Sequence, residues 1–542
     1  MQFIVVWWLA LSILGWLAWP WLVMLFRHAP GRGYAYARVS GLLLLTYVYW
    51  LLGMLDVIPN TTAALWGVAA GLCILGVVSW ARKWGEMTDL IRREWRYILT
   101  VELLFVTVCV LYAAYRSYSA AIDHTEQPMD FCFLNSMLFS PHMPPNDPWL
   151  SGLPISYYYL GYLTVAVLSR LTGISSGIAY NLGLVQALGL TTIGGYGLLY
   201  GFLRERGGSR GAGRSAWPFA LVGGVAIAFA SNLAGAVEMV HALRLGAWVP
   251  EGDWWWWRAS RVIVDQNWLA KTPTVITEFP IFSFILGDLH PHVMALPCFI
   301  LALGLAGELL LGNKARPASA WWQSPACWIM PWVFGALGFL NSWDLPTVLA
   351  VAWLAYSLGR WRGTKGREYT AQGQRHWLRD SLLFGLWLVV GSVLPYLPFY
   401  AGLHSQAQGL GLAYYAKTSL KDYLLCLGIW LLPILADALD TLFRLRSRSE
   451  SRVKVRTLLV VWGIIFLSPW ALTGLLGGWG KLLLGLVVLV TRGPWLLLLQ
   501  SGLLTILLVD MARTLGGGGP KDVGKLAAHL LVVVGIGLTY AT

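Results

Sequence analysis

Long apolar runs separated by short polar breaks dominate the chain. Runs long enough to cross a bilayer core of about 30 Å fall near residues 3–26, 39–56, 64–81, 98–121, 177–202, 217–241, 293–312, 326–342, 345–360, 381–402, 422–443, 457–475, 482–511 and 525–541. The run 482–511 contains Arg492 and Pro494 and reads as one kinked helix or two short ones. The first run lacks a charged leading segment and a small-residue cleavage site, so it is expected to be a retained helix. The pattern predicts an all-α, polytopic transmembrane bundle with about fourteen spans. No internal repeat of solenoid length is visible.

Composition agrees. Of 542 residues, 57% are hydrophobic and 12% charged, and the mean hydropathy is +0.62. Soluble domains carry about 25% charge, so a soluble globular enzyme is excluded. A disordered chain would be polar and poor in apolar residues. The 32 tryptophans and 23 tyrosines suit the membrane–water interface, where amphipathic rings gather. The six cysteines stand singly, without CxxC spacing, which argues against a disulfide framework or a zinc knuckle.

The net charge of +13 changes the picture only through its placement. Six groups of Lys and Arg, around 27–38, 82–96, 204–214, 314–316, 360–379 and 444–456, sit between apolar runs and hold 26 of the 39 bases. That is the positive-inside pattern of cytoplasmic loops, and it gives no support to a nucleic-acid partner. With those loops inside, the N-terminus lies outside, as do 122–155, 242–292, 341–344 and 403–420. The loop 122–155 has no Lys or Arg at all. Only an odd number of crossings joins it to the basic loop 203–214, yet two apolar stretches intervene, 156–170 and 177–202. The shorter, with its tyrosine cluster and Arg170, is expected to lie in the interface or to re-enter.

Candidate chemistry is confined to the external loops. Glu126 and Asp130 are four apart and share a face if helical, although Pro128 between them opposes a regular helix. Paired carboxylates at a membrane surface suit a general base or a cation ligand; the plain alternative is a solvated loop in which Asp147 caps a turn. Tyr157, Tyr158 and Tyr159 follow, as an aromatic belt or as ligand contacts. The second loop carries four tryptophans, Trp254 to Trp257, then Arg258 and Arg261, three apart. Guanidinium forks beside aromatics match phosphate, whether of a substrate or of lipid headgroups. In GDLHPH, Asp288, His290 and His292 alternate, so an extended backbone aims all three one way. They suit a divalent cation, a ligand-orienting cluster at membrane depth, or a helix-entry turn. Asn341 and Asp344 occupy LNSWDLPT as a further polar patch or a capped tight turn. Glu102 and Glu278 are costly acids near the membrane, expected to pair with arginines.

Several of these segments together resemble a known group. QPMDFCFLNSMLFSPHMPPNDPWLSGLPISYYYLGY, followed in order by WWWWRASRVI, TEFPIFSFILGDLHPH and LGFLNSWDLPT, resembles the YYY-motif family of multi-spanning membrane proteins (Chlor_Arch_YYY) over roughly residues 98–400. That family's layout is similar to the GT-C class of integral-membrane glycosyltransferases. The resemblance implies accessory spans with a cytoplasmic amphipathic segment over 1–97, a GT-C-like core over 98–420 and C-terminal spans over 421–542. It implies transfer of a sugar from a polyprenyl-phosphate donor to an acceptor on the extracytoplasmic face of the cell membrane. Asp130 matches the essential acid of the first external loop, with Glu126 second. Asp288 with His290 and His292 forms the second polar cluster, and Arg258 and Arg261 hold the lipid phosphate. The tyrosine triplet, Trp257, Asn341 and Asp344 are expected to line the substrate site. The one cofactor admitted is a divalent cation, magnesium or manganese, on Asp288, His290 and His292. Unlike better-known GT-C members, the chain has no soluble C-terminal domain and no DxD pair. Two other classes compete: a lipid or saccharide transporter or flippase, and a non-catalytic subunit of a membrane-protein complex on a GT-C-like scaffold.

Overall fold

A computed structural model describes residues 2–207, 212–247, 255–264, 266–267, 274–312, 321–364, 371–404, 416–447, 455–492, 495–517 and 523–541. It is almost entirely helical. The N-terminal part comprises α1 (Gln2–Leu25), α2 (Ala37–Met54), α3 (Thr62–Arg82), α4 (Trp84–Tyr118), α5 (Gln127–Phe139), α6 (Leu160–Thr172), α7 (Ser176–Gly207) and α8 (Ala212–Phe229). There follow α9 (Leu233–Arg244), α10 (Trp255–Ala259), α11 (Pro280–Leu286), α12 (Pro291–Gly312), α13 (Pro325–Leu340), α14 (Asp344–Thr364), α15 (Ala371–Val393) and α16 (Leu397–Gly402). The last helices are α17 (Leu420–Ser447), α18 (Val455–Gly477), α19 (Trp479–Arg492), α20 (Trp495–Gly517) and α21 (Val523–Ala541). The strands β1 (Gln266–Asn267) and β2 (Ala416–Lys417) form one antiparallel pair.

Among the described residues, ten helices are long and apolar enough to cross a membrane, or eleven if one bent pair counts as a span. The sequence pattern gives about fourteen, and the difference has local causes. The stretch 217–241 breaks at 230–232 between α8 and α9. The apolar lengths of α13 and α21 are short of a span. The run 345–360, on α14, is not among the ten. The run 482–511 is two helices, α19 and α20, of which α20 alone passes, so it still counts once; residues 493–494 between them lie outside the described residues.

The chain forms two compact units: Met1–Phe229 with Ser283–Gln406, and Ala230–Phe282 with Ala407–Thr542. In the first unit, α7 and α12 are buried almost throughout, with α4, α8 and α14 packed on them. Apolar side chains gain little from leaving lipid for one another, so such helices associate through close packing and polar contacts. Both are present. Gly41 of α2 lies on the Leu14 carbonyl of α1, where an added Cβ would come within 2.2 Å of that oxygen. Arg38 of α2 bonds Glu102 of α4 at 2.6 Å and Ser12 of α1 at 3.0 Å, the arginine partner expected for Glu102. In the second unit, α17, α20 and α21 share a partly buried ionic network. His529 meets Asp437 at 2.6 Å, and Lys525 meets Asp510 at 2.5 Å and Thr441 at 3.1 Å.

The first external loop is more regular than Pro128 suggests. Pro128 falls in the first turn of α5, where the missing N–H costs nothing because first-turn amides have no intrahelical acceptor. Glu126 is the residue before that helix and Asp130 lies one turn in. Asp147 caps a turn by accepting the amides of Trp149 and Leu150 at 2.7 and 2.9 Å. The α6 segment stays at the level of this loop. Tyr162 near its start donates to Asp130. Arg170 near its end bonds Asn60 Oδ1 at 2.7 Å and the Leu138 carbonyl at 2.7 Å. A helix held at both ends by loop residues of one side does not traverse the bundle, in keeping with the interfacial placement expected for 156–170.

Candidate functional site

Two segments more than 150 positions apart meet at the end of the first unit opposite its basic loops. Asp130, on α5, is fully buried. One of its carboxyl oxygens accepts the Tyr162 hydroxyl, and its carboxyl faces that of Asp288. Asp288 lies in the turn between α11 and α12 and is also buried. That turn is set by Gly287, whose φ of +77° suits glycine. It is pinned by Tyr180 of α7, which donates to the Gly287 carbonyl at 3.2 Å and accepts the Leu289 amide at 3.1 Å. Gln127, next to Glu126, donates to the Leu286 carbonyl at 2.6 Å and so ties α5 to the same turn.

Burial and the facing Asp288 charge push the Asp130 carboxyl up to about 9, against the opposing hydrogen bond from Tyr162. Two carboxylates in contact in a low-dielectric site cannot both stay ionised. The pair therefore keeps one proton at neutral pH.

Outside this pair lies a second layer. His290 Nε2 faces Glu126 Oε2 at 3.1 Å and the Tyr157 hydroxyl at 3.3 Å. The hydrogen bond to His290 holds the Glu126 carboxyl below its usual range. Burial, then the charges of Asp130 and Glu126, push the Tyr157 hydroxyl up, so Tyr157 keeps its proton. Its ring stacks on Phe133, with centroids 5.4 Å apart. His290 Nδ1 meets His292 Nδ1 at 2.7 Å, and His292 Nε2 meets Ser283 Oγ at 3.0 Å. Glu126 is the open edge, its side chain 58% exposed against 24% for His290.

The histidine nitrogens thus turn on each other and on Ser283, not towards a common point with Asp288. Among the described residues, no three His, Cys, Asp or Glu side chains are placed to hold a metal ion together. The arrangement of Asp288, His290 and His292 does not fit the cation ligand set that their spacing suggested.

The tyrosine triplet points three ways. Tyr157 joins the site. Tyr158 shares a 2.7 Å hydrogen bond with Ser342, which brings the 341–344 turn alongside. Tyr159 is buried and accepts the Trp50 indole N–H at 3.0 Å. In that turn Asn341 closes α13 and donates to Asp344 at 3.1 Å, the capped-turn alternative.

Trp257, Arg258 and Arg261 belong to the second unit. Arg258 pairs with Glu238 at 3.0 Å and Arg261 with Glu278 at 3.4 Å, so Glu278 also has its expected arginine. Arg261 lies over the Trp257 ring, 4.3 Å from its centroid. Trp254 lies outside the described residues.

Four contributors escape the sequence patterns. Tyr180 sits in an apolar helical stretch where nothing marks it, and Tyr162 and Ser283 lie inside the quoted segments without a chemistry that sets them apart from packing residues. Arg116, at the end of α4 nearest the site, did carry a signal: it is a base on the side where the positive-inside pattern puts few. It is buried, bonds Asn181 Oδ1 at 2.8 and 3.0 Å, and packs so closely under Gly287 that a Cβ there would lie 2.2 Å from its Nη1.

No curated protein and no solved structure matches the chain. A family model described as uncharacterized membrane protein (DUF2298) matches residues 44–542. The chain therefore belongs to the DUF2298 family of membrane proteins.

Proposed function

We propose that this protein is an integral-membrane glycosyltransferase of GT-C type, moving a sugar from a polyprenyl-phosphate donor to an acceptor hydroxyl at the extracytoplasmic face. The observation that supports this reading is the meeting of Asp130 and Asp288, supplied by the first external loop and the GDLHPH turn. A polyprenyl phosphate presents its sugar at headgroup level, and a carboxyl pair at that level can bind hydroxyls and move a proton. The acceptor oxygen bonds the anomeric carbon, and the bond from that carbon to the phosphate oxygen breaks with its electron pair. The hydroxyl proton passes to the ionised member of the pair. The protonated member of the pair donates a hydrogen bond that orients the sugar, and the ionised member is the accepting carboxylate. Glu126, His290 and Tyr157 form the entrance and supply polar contacts to substrate hydroxyls. Arg258 and Arg261, in the second unit and paired there with Glu238 and Glu278, are given no role in this step. No step is assigned to a metal ion.

The test is transfer or release of labelled sugar by the full chain in nanodiscs, supplied with synthetic polyprenyl-phosphate mannose and polyprenyl-phosphate glucose. Wild type consumes at least one donor, and Asp130→Asn and Asp288→Asn each lose most of that activity while keeping the helical circular-dichroism signal. Undiminished turnover in both variants removes the pair from the reaction.

A further inference from the structure

The part of the first external loop that follows α5 is ordered by its own polar groups, yet it turns large apolar side chains outward. Asp147 accepts the amides of Trp149 and Leu150. The Asp147 amide donates to the Leu153 carbonyl at 2.8 Å, and the Leu153 amide donates to the Leu150 carbonyl at 3.1 Å. Gly152, at a φ of +86°, lets the chain turn back at this tip. The side chains that result are Trp149, Leu150 and Leu153, which are 66%, 61% and 55% exposed. No residue from 149 to 153 is charged.

Hydrogen bonds fix the height of the tip. Its base is Asn146, whose amide donates to Ser140 Oγ at 2.9 Å and whose carbonyl accepts the Ser136 hydroxyl. The neighbouring Pro141 carbonyl accepts the Asn60 amide at 2.9 Å, and the Asn60 side chain donates to the Met137 and Ser140 carbonyls at 2.9 and 2.6 Å. Asn60 stands two residues before α3, which is long and apolar enough to cross a membrane. Only Leu65 and Gly76 of α3 are buried, so the rest of that helix meets lipid. The base of the tip is thus tied to the level at which a lipid-facing span enters the bilayer. Phe139, at the end of α5, and Val57, three residues before Asn60, are bound into the same level and are 79% and 63% exposed.

Exposed clusters of large apolar side chains mark contact surfaces, and the continuity of this one with the lipid-facing surface of α3 names the occupant. A tryptophan beside leucines suits the boundary between headgroups and acyl chains. A loop can enter that boundary only if its backbone polar groups are satisfied internally, as the Asp147 and Leu153 bonds provide. We propose that the tip 149–153 dips into the membrane leaflet opposite the basic loops, with Trp149, Leu150 and Leu153 among the upper acyl chains. The loop 122–155 has no Lys or Arg, so the attraction is apolar and does not depend on anionic lipid. Tyr157 follows the tip directly in sequence, and the inserted tip moors the entrance formed by Glu126, His290 and Tyr157 at headgroup height. The inference rests on the placement of this loop and not on the transfer reaction.

Spin-label accessibility of the full chain in nanodiscs tests the assignment. The cysteines that are not buried, Cys73, Cys132 and Cys426, are first changed to serine. A nitroxide is then placed by Ser151→Cys, which keeps all three apolar side chains, and separately by Leu150→Cys. Arg92→Cys, at a side chain 81% exposed near the basic end of α4, gives the aqueous reference. Leu111→Cys, at a residue 66% exposed in the middle of the same helix, gives the lipid reference. Both tip labels should collide with oxygen more than with a water-soluble nickel chelate, as at Leu111, and report a depth of about 5 Å or more below the phosphates. The depth should be the same in phosphatidylcholine alone and with added phosphatidylglycerol. Leu150→Glu in the Ser151→Cys chain should shift that label towards water. Nickel collisions equal to those at Arg92 would place the tip in solvent and overturn the proposal. Shielding from both reagents would show that protein covers the tip and would overturn the lipid assignment. An unchanged depth in Leu150→Glu would remove the apolar side chains as the anchor.

Discussion

Replacing Asp288 by Asn removes a negative charge that faces Asp130 and leaves a side chain of nearly the same shape. In the wild type, burial and the Asp288 charge together raise Asp130 to about 9. Two unit charges about 4 Å apart repel by about 4 kcal/mol at an effective dielectric of about 20, and a tenfold change in proton affinity corresponds to about 1.4 kcal/mol. Asp288→Asn should therefore move the Asp130 midpoint down by up to about three pH units, towards pH 6, while burial keeps it above an ordinary aspartate. Infrared difference spectroscopy of the protein in nanodiscs reads this directly. A neutral-carboxyl band at pH 7 is assigned to Asp130 by its loss in Asp130→Asn, and its bleaching is followed with pH. A midpoint near 9 that falls in Asp288→Asn is the expected result. A midpoint that does not move, or a wild type with no such band at neutral pH, would refute the shared-proton pair. Tyr162→Phe removes a hydrogen bond that favours the ionised form, so it should raise the midpoint rather than lower it.

Three further outcomes follow from the same contacts. Because Asp130 binds its proton more tightly folded than unfolded, its contribution to stability is full below pH 3.8, the ordinary value, and is lost as pH rises to about 9; the gap between the melting temperatures of wild type and Asp130→Asn should narrow or reverse over that range. Arg170→Met strands the Asn60 and Leu138 carbonyls and should cost about 3 kcal/mol in a reversible unfolding measurement, with a cost below 1 kcal/mol counting against the α6 clamp. Gly287→Ala forces a Cβ onto Arg116 at a positive φ; it should abolish turnover with donor while leaving the helical circular-dichroism signal intact.

The residues explain which parts of this arrangement were legible in the sequence. The apolar runs and the basic breaks declare the helical class, and the base-free loop 122–155 marks the face that carries the acids. The alternation in GDLHPH draws attention to Asp288 and His290, which the fold sets beside Asp130 and Glu126, but it suggests convergence on a cation. The Gly287 turn and the Pro291 helix start instead direct His290 at Glu126 and His292 at Ser283. Spacing alone carries no information about which nitrogen faces which neighbour. Tyr162 and Tyr180 are silent in sequence because a tyrosine in an apolar helix is as well explained by packing. Arg258 and Arg261 look available in the primary structure only because Glu238 and Glu278, 20 and 17 positions away, cannot be assigned to them without the fold. The span count differs because hydropathy windows do not register breaks such as 230–232.

A cryo-electron microscopy map of the full chain in nanodiscs, prepared with a polyprenyl-phosphate sugar that it turns over, tests the central claim most directly. The account predicts a sugar ring with a hydroxyl in hydrogen-bond reach of Asp130 or Asp288, entering past Glu126, His290 and Tyr157. A donor bound with its sugar elsewhere, while the two carboxyls remain sealed against each other, would contradict it.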